Sequence, residues 1–183
     1  MITLPTRLDL FKRLPPGTTG AEIGVLRGDF AAEILATGVA HLYLVDPWQA
    51  QDSSIYDDIC NAMDHEANYQ HVLSRFTREI SLGRVRIIRE LSAVANALWK
   101  GPKLDWVYID ANHGFMHALS DLMNWSGLLK EDGVLMGHDY IEERTHNFGV
   151  IEAVRTFCAL QGWEIEALTQ DAWPSYCLRR KAA

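Results

Sequence analysis

The stretch 20-GAEIGVLRGDF-30 holds an apolar segment, two glycines four residues apart, and an acidic residue in front of Phe30. This is the pattern of a strand that turns through Gly24 and Gly28 and enters a helix. Such turns often hold phosphate, but the residues here argue otherwise. A dinucleotide turn needs G-x-G-x-x-G so that backbone and helix can close on a pyrophosphate, and a P-loop needs a Lys-Ser/Thr pair. The pattern here is E-x-G-x-x-x-G, from Glu22 through Gly24 to Gly28, with neither feature. Asp29 suits the positive end of a helix dipole and would repel a phosphate. Taken alone, the two glycines serve equally well to make a tight bend.

Outward from that turn the chain alternates. Apolar runs of strand length occupy residues 21–26, 41–45, 84–88, 104–109 and 133–137, and segments of helical period fall at 30–37, about 53–80, 92–99 and 114–129. Ahead of them residues 6–14 form a short lead-in helix, with Leu8, Phe11 and Leu14 at helical spacing and a stop at Pro15-Pro16-Gly17. Behind them come a helix over about 148–160 and two strands, 163–168 and 175–179, close enough for a hairpin. Near-continuous apolar strands alternating with helices predict a Rossmann-like α/β fold: a doubly wound, mostly parallel sheet with helices on both faces and an antiparallel last strand. With 183 residues and no repeat, low-complexity segment or Ser/Gly linker, a single domain over 1–183 is expected.

Composition narrows the function. Hydrophobic residues make up 48% of the chain, yet no run approaches 18 apolar residues, so no membrane span is expected. Arg7 and Asp9 interrupt the N-terminus, which lacks the apolar centre of a signal peptide, and a cytoplasmic location follows as the expectation. Cys60, Cys158 and Cys177 are scattered without a C-x-x-C pair and read as buried or idle thiols. A net charge of −7 disfavours a sequence-independent grip on nucleic acid or anionic membrane and favours a small-molecule partner. The apolar, tryptophan-bearing tail would allow a homodimer.

In doubly wound sheets ligands sit beyond the carboxyl ends of the strands. Residues 27–29, 46–48, 89–92, 110–113 and 138–140 are therefore expected to face one cleft. Asp46 falls about 20 residues beyond the glycine turn, where an acid accepts hydrogen bonds from ribose hydroxyls. Trp48 suits either a ligand wall or the packing of the sheet. An acid on the first strand beside an open turn suits a nucleoside with a cationic, zwitterionic end, of which S-adenosylmethionine is one.

The runs 21-AEIGVLRGDFAAEIL-35, 43-YLVDPW-48, 106-WVYIDANHGF-115 and 133-GVLMGHDY-140, each at a strand end and in order, resemble the class I S-adenosylmethionine-dependent methyltransferases. More closely, they are similar to a small bacterial branch with macrocin and cephamycin O-methyltransferase-like enzymes. The resemblance covers about residues 18–160, departing where Asp132-Gly133 replaces Gly-Gly and Phe115 replaces Tyr. It implies a seven-stranded sheet. It also implies that Glu22, Gly24 and Gly28 line the methionine end of the cofactor, Asp46 the ribose, and Glu90 or Leu91 the adenine, with Trp48 and Asp110 completing the wall. Ser92 is read instead as the N-cap of the next helix.

The chemistry is expected from the neighbouring strand ends. Asp110, Asp139 and an imidazole could gather a divalent cation. The resemblance implies magnesium on Asp110 and Asp139, with His138 as a third candidate although magnesium prefers oxygen. Such a metal would hold substrate hydroxyls and acidify the one to be methylated. His113, working with Asp110, is the candidate base. Tyr140, Arg144 and His146, or the segment 52–70 as a lid, could touch the acceptor. The expected activity is O-methylation of a sugar, glycoside or natural-product scaffold. The alternatives are a cofactor-binding protein without turnover, a nicotinamide-dependent oxidoreductase, which the missing third glycine opposes, and a nucleic-acid methyltransferase, which the charge opposes.

Overall fold

The computed structural model describes residues 1–54, 56, 59–142 and 148–181. The chain enters through β1 (Ile2–Leu4) and α1 (Arg7–Lys12), then runs β2 (Thr19–Ile23), α2 (Asp29–Ala36) and β3 (His41–Val45). A single 3-10 turn (Ile59–Ala62), α3 (His65–Arg75) and α4 (Thr77–Ser81) lead to β4 (Val85–Ile88), α5 (Ser92–Ala97) and β5 (Leu104–Ile109). The rest is α6 (Phe115–Ser126), β6 (Leu129–Gly137), α7 (Val150–Gln161), β7 (Trp163–Thr169) and β8 (Tyr176–Arg180). One sheet takes the order β1-β7-β8-β6-β5-β2-β3-β4. β8 runs antiparallel to both β6 and β7, and the other pairings are parallel.

The reason is visible in β5. Its residues alternate between two apolar cores: Trp106 and Tyr108 join Phe11, Phe30, Leu42 and Leu44 on one face, while Val107 and Ile109 join Ile23, Leu122, Trp125 and Phe157 on the other. A strand buried on both faces must be apolar at nearly every position, as this one is. The first core is closed by α1, whose buried Leu10 and Phe11 face the sheet. The Phe11 ring meets Trp106 edge-on at 5.0 Å and Phe30 at 5.5 Å. Asp9 fastens the start of α1 by accepting from the Thr6 amide (3.0 Å) and hydroxyl (2.8 Å).

Strand order reverses between β2 and β5: the chain winds outward through β3 and β4, then returns to the other side of β2. A crevice opens beyond the strand ends at such a reversal. The strand pairing continues into it, because the Asp110 amide donates to Ile23 O (2.7 Å) and the His138 amide to Ile109 O (3.0 Å).

Three features depart from the sequence reading. The sheet has an eighth strand, since Ile2–Leu4 pairs with residues 167–169 of β7; three residues are too few to show a period. The polar stretch 53–80 contains the 3-10 turn and two helices broken at Phe76, not one helical run. β6 begins at Leu129 rather than at 133, with its polar start exposed and a register shift opposite residues 104–106 of β5. Among the described residues no helix is long and apolar enough to cross a membrane, and the three cysteines are unbridged.

Candidate active site

The turn after β2 is built from inside the protein. Gly24 and Gly28 have φ of 87° and 71°, the left-handed region that side chains disfavour. Both also lie against neighbours: a Cβ on Gly24 would stand 1.8 Å from the Asp110 carbonyl oxygen, and one on Gly28 would stand 2.7 Å from the Phe76 ring. The direction a side chain would take from each glycine is therefore closed by Asp110 and Phe76, and both positions require glycine on packing as well as on conformation. Leu26, Trp48 and Asp139 also have positive φ, at 52°, 40° and 58°. Non-glycine residues hold such conformations only where surrounding contacts enforce them.

For Leu26 and Trp48, Asp46 supplies that enforcement. Its Oδ2 accepts from the amides of Val25 (2.9 Å) and Leu26 (3.0 Å), and its Oδ1 from the amide of Trp48 (2.7 Å). The Trp48 indole N–H closes the ring by donating to Leu26 O (2.8 Å). A carboxylate has about four acceptor sites, so three are spent on the loop and about one is left for a ligand hydroxyl. Trp48 is 1% exposed and packs against Tyr69 at 5.1 Å. The structure thus gives Trp48 to the core and not to a ligand wall.

Glu22 differs. It lies one residue inside the end of β2, 2% exposed, and its Oε2 has no hydrogen-bond partner. Burial holds its carboxyl well above the usual carboxylate range, Asp110 and Asp46 add to this, and Arg7 works against it. A buried carboxylate with an unspent oxygen is costly unless something cationic arrives.

Across the crevice Asp110, His113, His138 and Asp139 converge. His113 Nε2 lies 2.8 Å from Asp139 Oδ2 and 4.0 Å from Asp110 Oδ1. His138 Nδ1 lies 3.0 Å from Asp139 Oδ1 and 3.6 Å from Asp110 Oδ1. Burial alone would make His138 less basic, but hydrogen bonds to Asp110 and Asp139 and their charges overcome it and raise its pKa to about 10. Burial would raise the Asp139 carboxyl, while the two imidazoles hold it well below the usual range. His138 is then an imidazolium at neutral pH and a donor. The side chains whose ligand atoms lie within 4.8 Å of one another are Asp110, His113 and Asp139. His138 stands outside that group, so the third metal candidate among the described residues is His113.

The other expected residues fall as follows. Glu90 and Leu91 stand exposed beyond β4, and Leu91 occupies the N-cap position of α5. Ser92 is not that cap: its hydroxyl donates to buried Asp121 and accepts from the Trp125 indole (2.9 Å). Burial raises Asp121 to about 6. Tyr140 packs towards Tyr176, with ring centroids 6.0 Å apart. Arg144 and His146 lie outside the described residues. Of the segment 52–70, residues 55, 57 and 58 lie outside the described residues, and 65–70 begin α3, which lies on the sheet through Tyr69 and, further along, buried Val72. Sequence reasoning missed Phe148, which stacks on His113 at 4.7 Å and stands 6.0 Å from half-exposed Trp173. It also missed Arg7, whose approach to the crevice has no local sequence signal.

A doubly wound sheet with an antiparallel strand between its last two parallel ones, and a cleft at the β2/β5 reversal, defines the class I S-adenosylmethionine-dependent methyltransferase fold. A family model described as "Methyltransferase domain" matches residues 21–140, and the chain belongs to that family. No curated protein matches the chain. Among solved structures it is similar to SMU.1697c from Streptococcus mutans in complex with SAH, at 13% identity and a TM-score of 0.66, covering 97% of this chain and 98% of that one. It is also similar to the N-methyltransferase NodS from Bradyrhizobium japonicum WM9, at 13% identity and 0.65, covering 96% and 95%. A third is the ribosomal protein L11 methylase from Lactobacillus delbrueckii subsp. bulgaricus, at 14% identity and 0.64, covering 96% and 77%. At these identities the likeness concerns the fold.

Proposed function

We propose that this chain transfers a methyl group from S-adenosylmethionine to a hydroxyl of a small molecule such as a sugar, glycoside or natural-product scaffold, with help from a divalent cation. The observation that carries the reading is the convergence of Asp110, His113 and Asp139 across the crevice from a buried, half-unpartnered Glu22. Glu22 fits the ammonium and sulfonium end of the cofactor, because a cation would pair its unspent oxygen. Asp46 fits a ribose hydroxyl through its remaining acceptor site, and Glu90 and Leu91 flank the position expected for adenine. When bound, the cofactor supplies an activated methyl with a good leaving group.

Asp110, Asp139 and His113 would hold the cation, which would acidify a bound hydroxyl. Two oxygens with one imidazole suit manganese or another first-row metal as well as magnesium. Where His113 serves as the base instead of a ligand, the 2.8 Å contact between Asp139 Oδ2 and its Nε2 orients the ring. Alignment of a hydroxyl with the methyl group would supply much of the acceleration. The net charge of −7 supports a small acceptor over nucleic acid. The resemblance of 133-GVLMGHDY-140 to the macrocin and cephamycin enzymes supports oxygen over nitrogen.

A metal-free version of the same reaction has its own support. His138 and His113 bracket Asp139 at 3.0 and 2.8 Å, so protons already balance part of its charge. Calorimetry with S-adenosylmethionine and S-adenosylhomocysteine, with and without magnesium or manganese, tests both versions alongside methyl transfer to hydroxylated acceptors. The metal-assisted reading expects activity to fall at least about tenfold with chelator, and metal binding to disappear in an Asp110→Ala, Asp139→Ala double variant. Full activity in chelator selects the metal-free version. Failure to bind either nucleoside removes both.

A further inference from the structure

The crevice gathers carboxylates at the ends of β2, β3 and β5, and the cation nearest to them, paired with Asp110, comes from the N-terminal helix. Arg7 is the first residue of α1 and lies outside the segment that matches the family model. The alternation of side chains explains how it gets there. Glu22 pairs in register with Tyr108, so both project to the sheet face that α1 covers. The Arg7 guanidinium carbon lies 3.9 Å from the centroid of Phe30, in the first turn of α2, and Nη1 lies 3.7 Å from Asp110 Oδ2.

Several observations mark Arg7 as poised for a ligand. At 3.7 Å its contact with Asp110 is longer than a hydrogen bond. Among the described residues its side chain makes no hydrogen bond, so a guanidinium with five N–H donors has them largely unspent. The contact with Phe30 uses the face of the ring and consumes none of them. Its position is preset: Leu10 and Phe11 anchor α1 in the core, and the Arg7 amide donates to Asp171 Oδ2 (2.9 Å). Glu22, on the same side of the sheet, has the complementary deficit, a buried acceptor without a donor.

We propose that Arg7 captures the carboxylate of the cofactor's amino-acid end, so that Arg7 and Glu22 form a two-ended clamp for its carboxylate and ammonium. This rests on the methyltransferase reading and adds a specificity-determining residue to it. Guanidinium pairs with carboxylate through two parallel N–H bonds, a geometry that lysine cannot copy. The clamp requires an amino-acid-bearing nucleoside and discriminates against nucleosides that lack the carboxylate.

The test is calorimetry on the full chain and on Arg7→Met and Arg7→Lys, with S-adenosylhomocysteine and its decarboxylated analogue, which keeps the ammonium, sulfur and nucleoside. A charge-assisted pair predicts that the parent prefers S-adenosylhomocysteine by about 10- to 100-fold. Arg7→Met should lose most of that preference while binding the analogue within about threefold of the parent, and Arg7→Lys should fall between. Equal binding of the two ligands by the parent overturns the clamp, and that result needs no variant to fold. So does a Met variant that binds both ligands like the parent, or one that weakens both equally while its thermal melt matches the parent. A parent that binds neither nucleoside overturns the methyltransferase reading, and the clamp falls with it.

Discussion

The ends of β3 and β6 both deliver an aspartate to the crevice, and the two are built in opposite ways. Asp46 is met by three backbone amides, and the residue two places on, Trp48, is sealed in the core. Asp139 is met by two imidazoles, with a second carboxylate, that of Asp110, within 4.0 Å of both rings. Amide donors carry no titratable proton, so the first arrangement persists at any ordinary pH. Imidazoles gain and lose protons, so the second changes with pH and with any cation that replaces a proton. One strand end is scaffold, and the other is a charge balance open to a ligand.

Breaking the scaffold is expected to have the largest effect. Gly24→Ala would drive a methyl group into the Asp110 carbonyl at a backbone position that cannot yield, in a conformation that already disfavours a side chain. The expected loss is about 4 kcal/mol or failure to fold, read by chemical denaturation. Gly28→Ala sharpens the point, because its obstacle is the Phe76 ring, which can move. A loss of about 1–2 kcal/mol is expected there. If both variants cost the same, backbone contact is not what sets Gly24.

Next comes Asp46 itself. Asp46→Ala leaves three amides without their acceptor, although partial access to water softens the effect, and about 2–3 kcal/mol is expected. Asp46→Asn keeps one carbonyl acceptor and is expected to lose about half as much. Denaturation midpoints at pH 7 decide this. An Ala variant as stable as the parent would mean that the turn holds itself.

How far these roles were legible depends on where their signals lie in the chain. The strand over 104–109 was readable to the residue because both its faces are buried, giving a continuous apolar run. The convergence of Asp110, His113, His138 and Asp139 followed from the rule that ligands gather at strand ends. The glycines were legible as a turn, but not what fills their space: Phe76 is 48 residues from Gly28 in sequence, and its approach is a tertiary fact. Trp48 suits ligand and core equally in sequence, because the bond from its indole N–H to Leu26 O joins residues 22 apart. Arg7 carried no signal because its partners, Phe30, Asp110 and Asp171, come from three distant elements.

The charge balance can be broken with protons. His138 has its pKa raised from about 6.5 to about 10, so the folded chain holds a proton that the unfolded chain releases earlier. Its stabilisation is complete below the unfolded value and is lost as pH rises through the folded one. Stability should therefore decline between about pH 7 and 10, with a slope approaching 1.4 kcal/mol per pH unit for one proton. His138→Asn should flatten that decline. Glu22 has a raised pKa too, so its contribution is also greatest at low pH and is lost as pH rises. Glu22→Gln is accordingly expected to stabilise the ligand-free chain at pH 7–8 while weakening S-adenosylhomocysteine binding. A parent whose denaturation midpoint is constant from pH 7 to 10 would show that the imidazoles are not held by the two aspartates.

The smallest effect is expected at the rim. Asp29, which opens α2, pairs with Arg75 of α3 at 2.5 Å, a shorter contact than any in the Asp139 cluster. Length is a poor guide here, since the Asp29 side chain is 69% exposed and water and salt screen the pair. Arg75→Ala should cost no more than about 0.5 kcal/mol, less again in 0.5 M salt, with S-adenosylhomocysteine affinity unchanged. His113→Ala, removing a longer contact from a buried carboxylate, should cost more than that at pH 7. If Arg75→Ala proved the more damaging, α3 would have to be counted as part of the cofactor turn, tied through Asp29 to the glycines that open α2.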